Sequence, residues 1–540
     1  MVDVVGIFSK FRLKLTKRKR EVENALEAVE EVEAAVPRLT ERTRAFLSGR
    51  GNLLASYPLY EPWAYAFIVE DPKTGKITYN VEEVSMNENE RRTYKEVIDY
   101  ITWELEPPKG AVNPREYLIK YAREAIRLFQ IKLGRTPGLS WAKIGYYVER
   151  DLLGYGPLDP IFRDPNIEDI SCNGVGIPIY VWHRKFESLP TNIVFKNEKD
   201  LDEYVLKLAH MAGKHISVAY PILDAILPGG HRVAATFQKE VSTKGSTFTI
   251  RKFREDPITI IDLIDFGTIS PEIAAYFWLI MDFKMTTLIL GVTGAGKTST
   301  LNAMANLLRP TYKIVTIEDT PELRLPQENW VQLVSRPSYL AAGGIGEITL
   351  FHLVKVSLRY RPDVIIVGEV RGEEAYVLFQ AIATGHSGMT TLHAESLDAA
   401  IKRLTSPPMN IPPSYIPLIN VAMVIKRVIR TDESGRPRPA RRITNVWEIS
   451  EYNKYQEIAR WDPVHDRFDL RLSKSVVLSK IGELTGKSIE SLIEEVARRK
   501  AILEWLAANR IRSYKEVATY VQRYYVNPKS VLREIGVGEV

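Results

Sequence analysis

The stretch Gly291-Val292-Thr293-Gly294-Ala295-Gly296-Lys297-Thr298 sets Gly291 and Gly296 with four residues between them, directly ahead of a lysine and a hydroxyl residue. A Gly-rich loop between a strand and a helix lets backbone N–H groups surround phosphate oxygens, and the helix N-terminus adds favourable partial charge. Lys297 would neutralise the outer phosphates of a nucleotide, and Thr298 would ligate Mg²⁺ through its hydroxyl. The expected nucleotide-binding residues are therefore Thr293, Gly294, Ala295, Gly296, Lys297, Thr298 and Ser299, with ATP and Mg²⁺ as the ligands. Apolar Leu288-Ile289-Leu290 before the loop and Leu301-Asn302-Ala303-Met304 after it supply the strand and helix that this chemistry needs.

Phosphoanhydride hydrolysis also needs an acidic group to hold the metal and another to orient the attacking water. Two apolar runs end in carboxylates: Ile317-Glu318-Asp319 and Val367-Gly368-Glu369. Gly368 stands where the commoner motif has an Asp before the Glu, so metal binding must lean on Thr298, phosphate, water and Glu318, with Glu369 as a further candidate ligand. Taken alone, each carboxylate would be an ordinary solvated strand end. The segment from Ala383 to Ala394 carries His386 and His393 around small residues. Metal ligation by this pair lacks a Cys or a third clustered ligand. Beside a phosphate loop, His393 is expected to sense the γ-phosphate or a neighbouring carboxylate. The candidate catalytic set is Glu369, Glu318, Lys297 and His393.

These side chains require an α/β frame. Leu288 to Leu290, Ile314 to Ile317 and Val364 to Val367 are short apolar runs separated by helical stretches, the pattern of buried parallel strands that gather ligands at their carboxyl ends. Upstream, Ala64 to Val69 and Ile77 to Val84 read as a hairpin around Asp71-Pro72-Lys73-Thr74-Gly75, and Glu88 to Glu106 as a helix. Helices follow between Pro114 and Leu153, then strands at Ile170 to Cys172 and Ile177 to His183. The boundaries expected from these signals are 1–110 for a basic helix and small α/β region, 111–254 for an α/β domain, 255–270 for a linker, 271–450 for the phosphate-binding domain, and 451–540 for a helical subdomain.

Composition narrows the setting. The 540 residues are 45% hydrophobic and 26% charged, and no apolar run is long enough to span a bilayer. One cysteine, Cys172, excludes an intrachain disulfide and reads as a small buried residue. The start lacks a signal-peptide pattern, so a cytoplasmic location is expected. Charges of both signs are interspersed, which disfavours a nucleic-acid groove. Between Lys10 and Arg20, seven cations stand among Phe8, Phe11, Leu13 and Leu15, either a frayed basic helix or a contact with anionic lipid. Val22, Leu26, Val29 and Val36 then repeat at helical spacing.

The phosphate loop, the acidic box from Ile317 to Glu322, Val367-Gly368-Glu369-Val370-Arg371 and the histidine box occur in the order of the secretion ATPase superfamily, and the chain resembles its archaeal branch. That superfamily serves type II and type IV secretion, type IV pili and archaeal surface filaments. The likeness extends upstream through Leu153 to Leu158, Ser171 to Gly174 and Leu227 to Val233. It implies a RecA-like motor domain preceded by a sensor-like α/β domain, a homo-hexameric ring, a polytopic membrane platform protein as partner and pilin-like subunits moved indirectly. It also implies that Arg232, Arg251 and Arg254 reach the phosphates. Two other readings compete: a hexameric nucleic-acid translocase, which would need a basic, aromatic-lined pore, and a nucleotide-binding scaffold without turnover.

Overall fold

The structure is a computed structural model and describes residues 51–537 apart from 108, 109, 111, 130, 132, 134, 135, 254, 255, 337–345 and 432–436. The basic segment Lys10 to Arg20, the helix expected from Val22 to Val36, and Arg254 lie outside the described residues. The chain divides into two compact units, Met1–Phe253 and Arg254–Val540.

The first unit is built on nine strands: β1 (Asn52–Tyr60), β2 (Ala64–Glu70), β3 (Ile77–Glu83), β4 (Ile167–Cys172), β5 (Pro178–His183), β6 (Glu187–Val194), β7 (Ile222–Ile226), β8 (Arg232–Thr236) and β9 (Thr247–Arg251). They pair in the order β1-β2-β3-β6-β5-β4-β9-β8-β7. Alternate residues point to opposite faces, so Ile179, Val181, Val233 and Ile250 line one buried face. Leu201, Val205 and Leu208 of the helix Glu198–Met211 belong to the same core. Asn197 starts that helix by accepting from Asp200 N at 2.8 Å. Cys172 is buried in this core, where loss of solvent pushes its thiol up.

A separate region ending at residue 110 was expected, and the sheet overrides it. β3 pairs in parallel with β6 at Tyr79 and Thr191, and the Asn192 carboxamide bonds both the N–H and the C=O of Val81 at 2.9 Å. Ala66, Ile68 and Tyr79 therefore share a core with Ile167 and Ile170. The helices Glu88–Glu104, Pro114–Leu128 and Pro137–Leu152 also pack on one another across the expected boundary, through Val97, Ile101, Leu118, Ala122, Ile144 and Val148. Composition marks chain punctuation near Pro107; it does not reveal pairing between strands a hundred residues apart.

The second unit carries β10 (Thr287–Leu290), β11 (Ile314–Glu318), β12 (Trp330–Val334), β13 (Val364–Val367), β14 (Ser387–Leu392), β15 (Val421–Thr431), β16 (Pro437–Glu451), β17 (Lys454–Asp462) and β18 (Arg467–Leu470). Their order is β12-β11-β13-β14-β10-β15-β16-β17-β18. The strands from β12 through β15 pair in parallel, and β15 to β18 continue as an antiparallel extension. Both faces of the parallel part are covered. Ile289 and Ile366 belong to one core while Leu288, Leu290, Ile365 and Val367 belong to the other, which is why these strands read as unbroken apolar runs.

One expected boundary moves. Residues 255–270, read as a linker, contain the helix Ile260–Asp265, capped reciprocally by Thr259 and Asp262, and Ile260 and Ile261 are buried in the core of the second unit. The span 451–540 opens with β17 and β18, within the mixed stretch that follows Ile449 in the sequence, and its α-helices begin at Val476, next to the Ser475 from which helical character is expected. Those helices are tied to the rest of the second unit by buried polar groups. Glu448 of β16 accepts from Tyr276 Oη and Val476 N, each at 2.6 Å, from Val477 N at 3.1 Å, and from Ser475 Oγ. Buried Arg499 pairs with Asp282 at 2.6 Å and Glu495 at 2.9 Å.

Replacing Glu448 with alanine would leave these donors buried without an acceptor, a loss of about 3 kcal/mol. Thermal unfolding of the full chain should show a midpoint lowered by roughly 6–12 °C, and an unchanged midpoint would make the network incidental. Among the described residues no helix is long and apolar enough to cross a membrane.

Candidate functional site

The site forms at the carboxyl ends of the parallel strands. β10 lies between β14 and β15, with Leu290 opposite Leu392 and Val424, and β13 lies on the far side of β14. The loop after β10, His393 after β14, and Gly368-Glu369 after β13 are therefore neighbours along one edge. Chain order alone would have separated them.

Within the loop, two glycines answer steric demands. A side chain at Gly291 would stand 2.7 Å from the Ile425 carbonyl oxygen, and Gly296 holds φ at +100° where it caps the helix Lys297–Ala305. The first N–H groups of a helix have no intrahelical partner, so the turn from Gly294 through Ser299 presents donors to an anion. Gly294 is exposed, whereas Thr298 and Ser299 are half-buried. The loop's shape thus suits a phosphate chain. Thr298 stands on the helix's first turn.

Lys297 is buried and its Nζ lies 3.3 Å from the Val292 carbonyl oxygen and 3.2 Å from His393 Nε2. His393 Nε2 is in turn 3.4 Å from Glu369 Oε1. The imidazole thus stands between an ammonium and a carboxylate. Burial pulls the Lys297 pKa down, partly opposed by Glu369. His393 is also held below its ordinary value, first by burial and then by the Lys297 charge, so the ring is neutral near pH 7. Neutral imidazole can accept from Lys297 or donate to Glu369, which makes it able to report a change at either one.

Glu318 is placed differently from Glu369. Its Oε1 accepts from the N–H groups of Glu322 and Leu323 at 2.9 Å, and its Oε2 from Gln332 Nε2 at 3.2 Å. Burial nonetheless pushes its carboxyl up to about 7. Both oxygens are engaged within the protein, which argues against the metal-ligand role expected of Glu318. Gly368 keeps room for this carboxylate: a Cβ there would lie 3.3 Å from Glu318 Cγ.

The family model for the type II/IV secretion system protein matches residues 164–454. The chain belongs to this family. It is 35% identical over 498 residues to the protein MJ0900 of Methanocaldococcus jannaschii, covering 87% of this chain and 88% of that one. Over 282 residues it is 25% identical to Protein VirB11 of Rhizobium radiobacter, covering 46% and 79% of the two chains. Among solved structures it matches the Legionella pneumophila ATPase DotB at 17% identity and a TM-score of 0.39, over 70% of this chain and 94% of that one.

In this secretion-family chain, two of the expected arginines come together within the first unit. Arg232 of β8 lies directly opposite Arg251 of β9. Each is exposed and held by a carboxylate, Arg232 by Asp224 at 2.8 Å and Arg251 by Asp169 at 3.3 Å. Two like charges face one another across the ladder, and the flanking acids offset their repulsion. Further arginines also stand at the candidate site. Arg371 pairs with Asp319, Arg403 Nη1 donates to the His393 carbonyl oxygen at 2.7 Å, and Arg441 Nε donates to the Gly294 carbonyl oxygen at 3.3 Å. The Val370-Arg371 motif did carry a signal for the first; Arg403 reaches back from the helix Leu397–Thr405, ten residues past His393, and only Arg441 depends on strand pairing.

Proposed function

We propose that this chain is an ATP-hydrolysing motor, hexameric when active, that powers assembly of a type IV pilus-like filament or type II/IV secretion at the cytoplasmic face of the membrane. The observation that carries this reading is the contact series Lys297–His393–Glu369 beside a phosphate loop, in a member of the secretion family. The loop from Thr293 to Ser299 grips the phosphates, and Lys297 balances their charge. Thr298 and Glu369 are the groups that would hold Mg²⁺, which would supply charge neutralisation between the outer phosphates. Glu369 orients the attacking water and accepts its proton. His393 senses the state of the Lys297–Glu369 pair, while Glu318 fixes the acidic loop from its buried position. A polytopic membrane platform protein receives the motion, and pilin-like subunits are moved indirectly. The segment from Lys10 to Arg20 would contact anionic lipid.

Arg232 and Arg251 belong to the first unit and the phosphate loop to the second, so nucleotide held by both would couple hydrolysis to domain movement. On this reading the arginines serve the phosphates of their own chain. Mixing two inactive variants, Arg251→Ala and Glu369→Gln, tests it. Rings that have exchanged subunits should stay inactive, because every site keeps one defect. Recovered ATPase activity would mean that a neighbour donates the arginine, since an Arg251→Ala site beside a Glu369→Gln donor is then complete. Absence of any nucleotide-dependent ring in sedimentation would overturn the hexameric motor itself.

A further inference from the structure

The loop carries a second cation that the motif does not contain. β16 crosses beside β15, and its consecutive residues Arg441 and Arg442 face opposite ways. Arg442 is buried and forks onto Asp466, with both bonds at 2.8 Å, and also donates to the Phe266 carbonyl oxygen at 3.0 Å. That anchor fixes the strand's rotation and so directs Arg441 to the other face. There the Arg441 stem lies across the phosphate loop: a Cβ on Gly296 would stand 3.2 Å from Arg441 Cδ, and Nε donates to the Gly294 carbonyl oxygen at 3.3 Å. Arg441 is exposed, and among the described residues its two Nη groups have no protein partner.

We infer that Arg441 is a nucleotide-binding residue of this centre, its Nη groups donating to the phosphate chain of the triphosphate from β16 while Lys297 acts from within the loop. Arginine presents a rigid fork of donors that matches phosphate oxygens, and one bond to a loop carbonyl leaves most of that fork free. Arg441 belongs to the same unit as the phosphate loop, whereas Arg232 and Arg251 belong to the other unit. The inference rests on the ATPase reading above.

Affinity of the full chain for a non-hydrolysable Mg·ATP analogue, measured by titration, separates the contributions. Arg441→Gln keeps a donor for the Gly294 carbonyl but removes the charge, and Arg441→Lys keeps the charge without the fork. Expected results are binding weakened about 10- to 100-fold in Arg441→Gln and less in Arg441→Lys, with KM raised in parallel. Equal affinity in the parent chain and Arg441→Gln would overturn the phosphate contact. So would weak binding in Arg441→Lys with full binding in Arg441→Gln, which would reduce Arg441 to a prop for the loop. A parent chain that binds no analogue would instead defeat the nucleotide reading as a whole. Thermal midpoints within a few degrees across the series show that each variant is folded.

Discussion

Lys297→Ala should abolish ATP hydrolysis, lowering kcat by about 10³-fold or more, because the one full positive charge within the phosphate loop is lost at the point where charge moves in the transition state. Nucleotide binding should weaken as well, by the value of a charge-assisted hydrogen bond, about 1.5–3 kcal/mol. The structure adds a second expectation that separates a chemical defect from misfolding. Burial lowers the Lys297 pKa, which means the protonated side chain is held less comfortably in the fold than in water. A base with a depressed folded pKa weakens the fold as pH drops through its unfolded value. Near pH 7, removing it should leave the thermal midpoint of the nucleotide-free chain unchanged or slightly higher. A variant that hydrolyses ATP at the parent rate would sink the active-site assignment, and one that melts early would show that Lys297 supports the loop mechanically.

Glu369→Gln should bind Mg·ATP and turn over at about 10⁻² to 10⁻⁴ of the parent rate. The amide keeps the size of the carboxylate and a hydrogen bond toward His393, yet it cannot accept a proton or hold water as an anion does. Single-turnover measurement with saturating enzyme isolates this step from binding. Glu318→Gln is the paired control. Glu318 is already engaged by the N–H groups of Glu322 and Leu323 and by Gln332, and its carboxyl is pushed up to about 7 by burial. Its replacement should therefore reduce turnover less than that of Glu369. A larger loss in Glu318→Gln would exchange the two roles.

Much of the candidate site is legible in the sequence because the constraints on the phosphate loop are local. Gly291, Gly296, Lys297 and Thr298 answer to steric and charge demands within one turn of chain, and Gly296 caps the helix that the spacing implies. The strands at Leu288, Ile314 and Val364 were legible because burial on both faces forces every residue to be apolar. The hairpin around Asp71 was also legible, since Asp71 accepts from Lys73 N at 2.8 Å and the turn closes through Gly75 N at 2.8 Å.

What sequence did not disclose depends on which distant strands pair. Lys297 and His393 stand 96 residues apart, and they meet because β14 inserts between β10 and β13. The same pairing joins β3 to β6 and carries the motor sheet past residue 450 into β17 and β18. It also lays Arg441 over the loop and turns the Glu318 carboxylate inward. Apolar strand runs are chemically alike, so any of them could pair with any other on local grounds; the order is chosen by how the connecting helices and side chains fill both faces of the sheet at once. Sequence therefore determined the phosphate-loop spacing and the strand-end carboxylates, through constraints acting over a few residues, and the tertiary packing decided which of those groups stand next to one another.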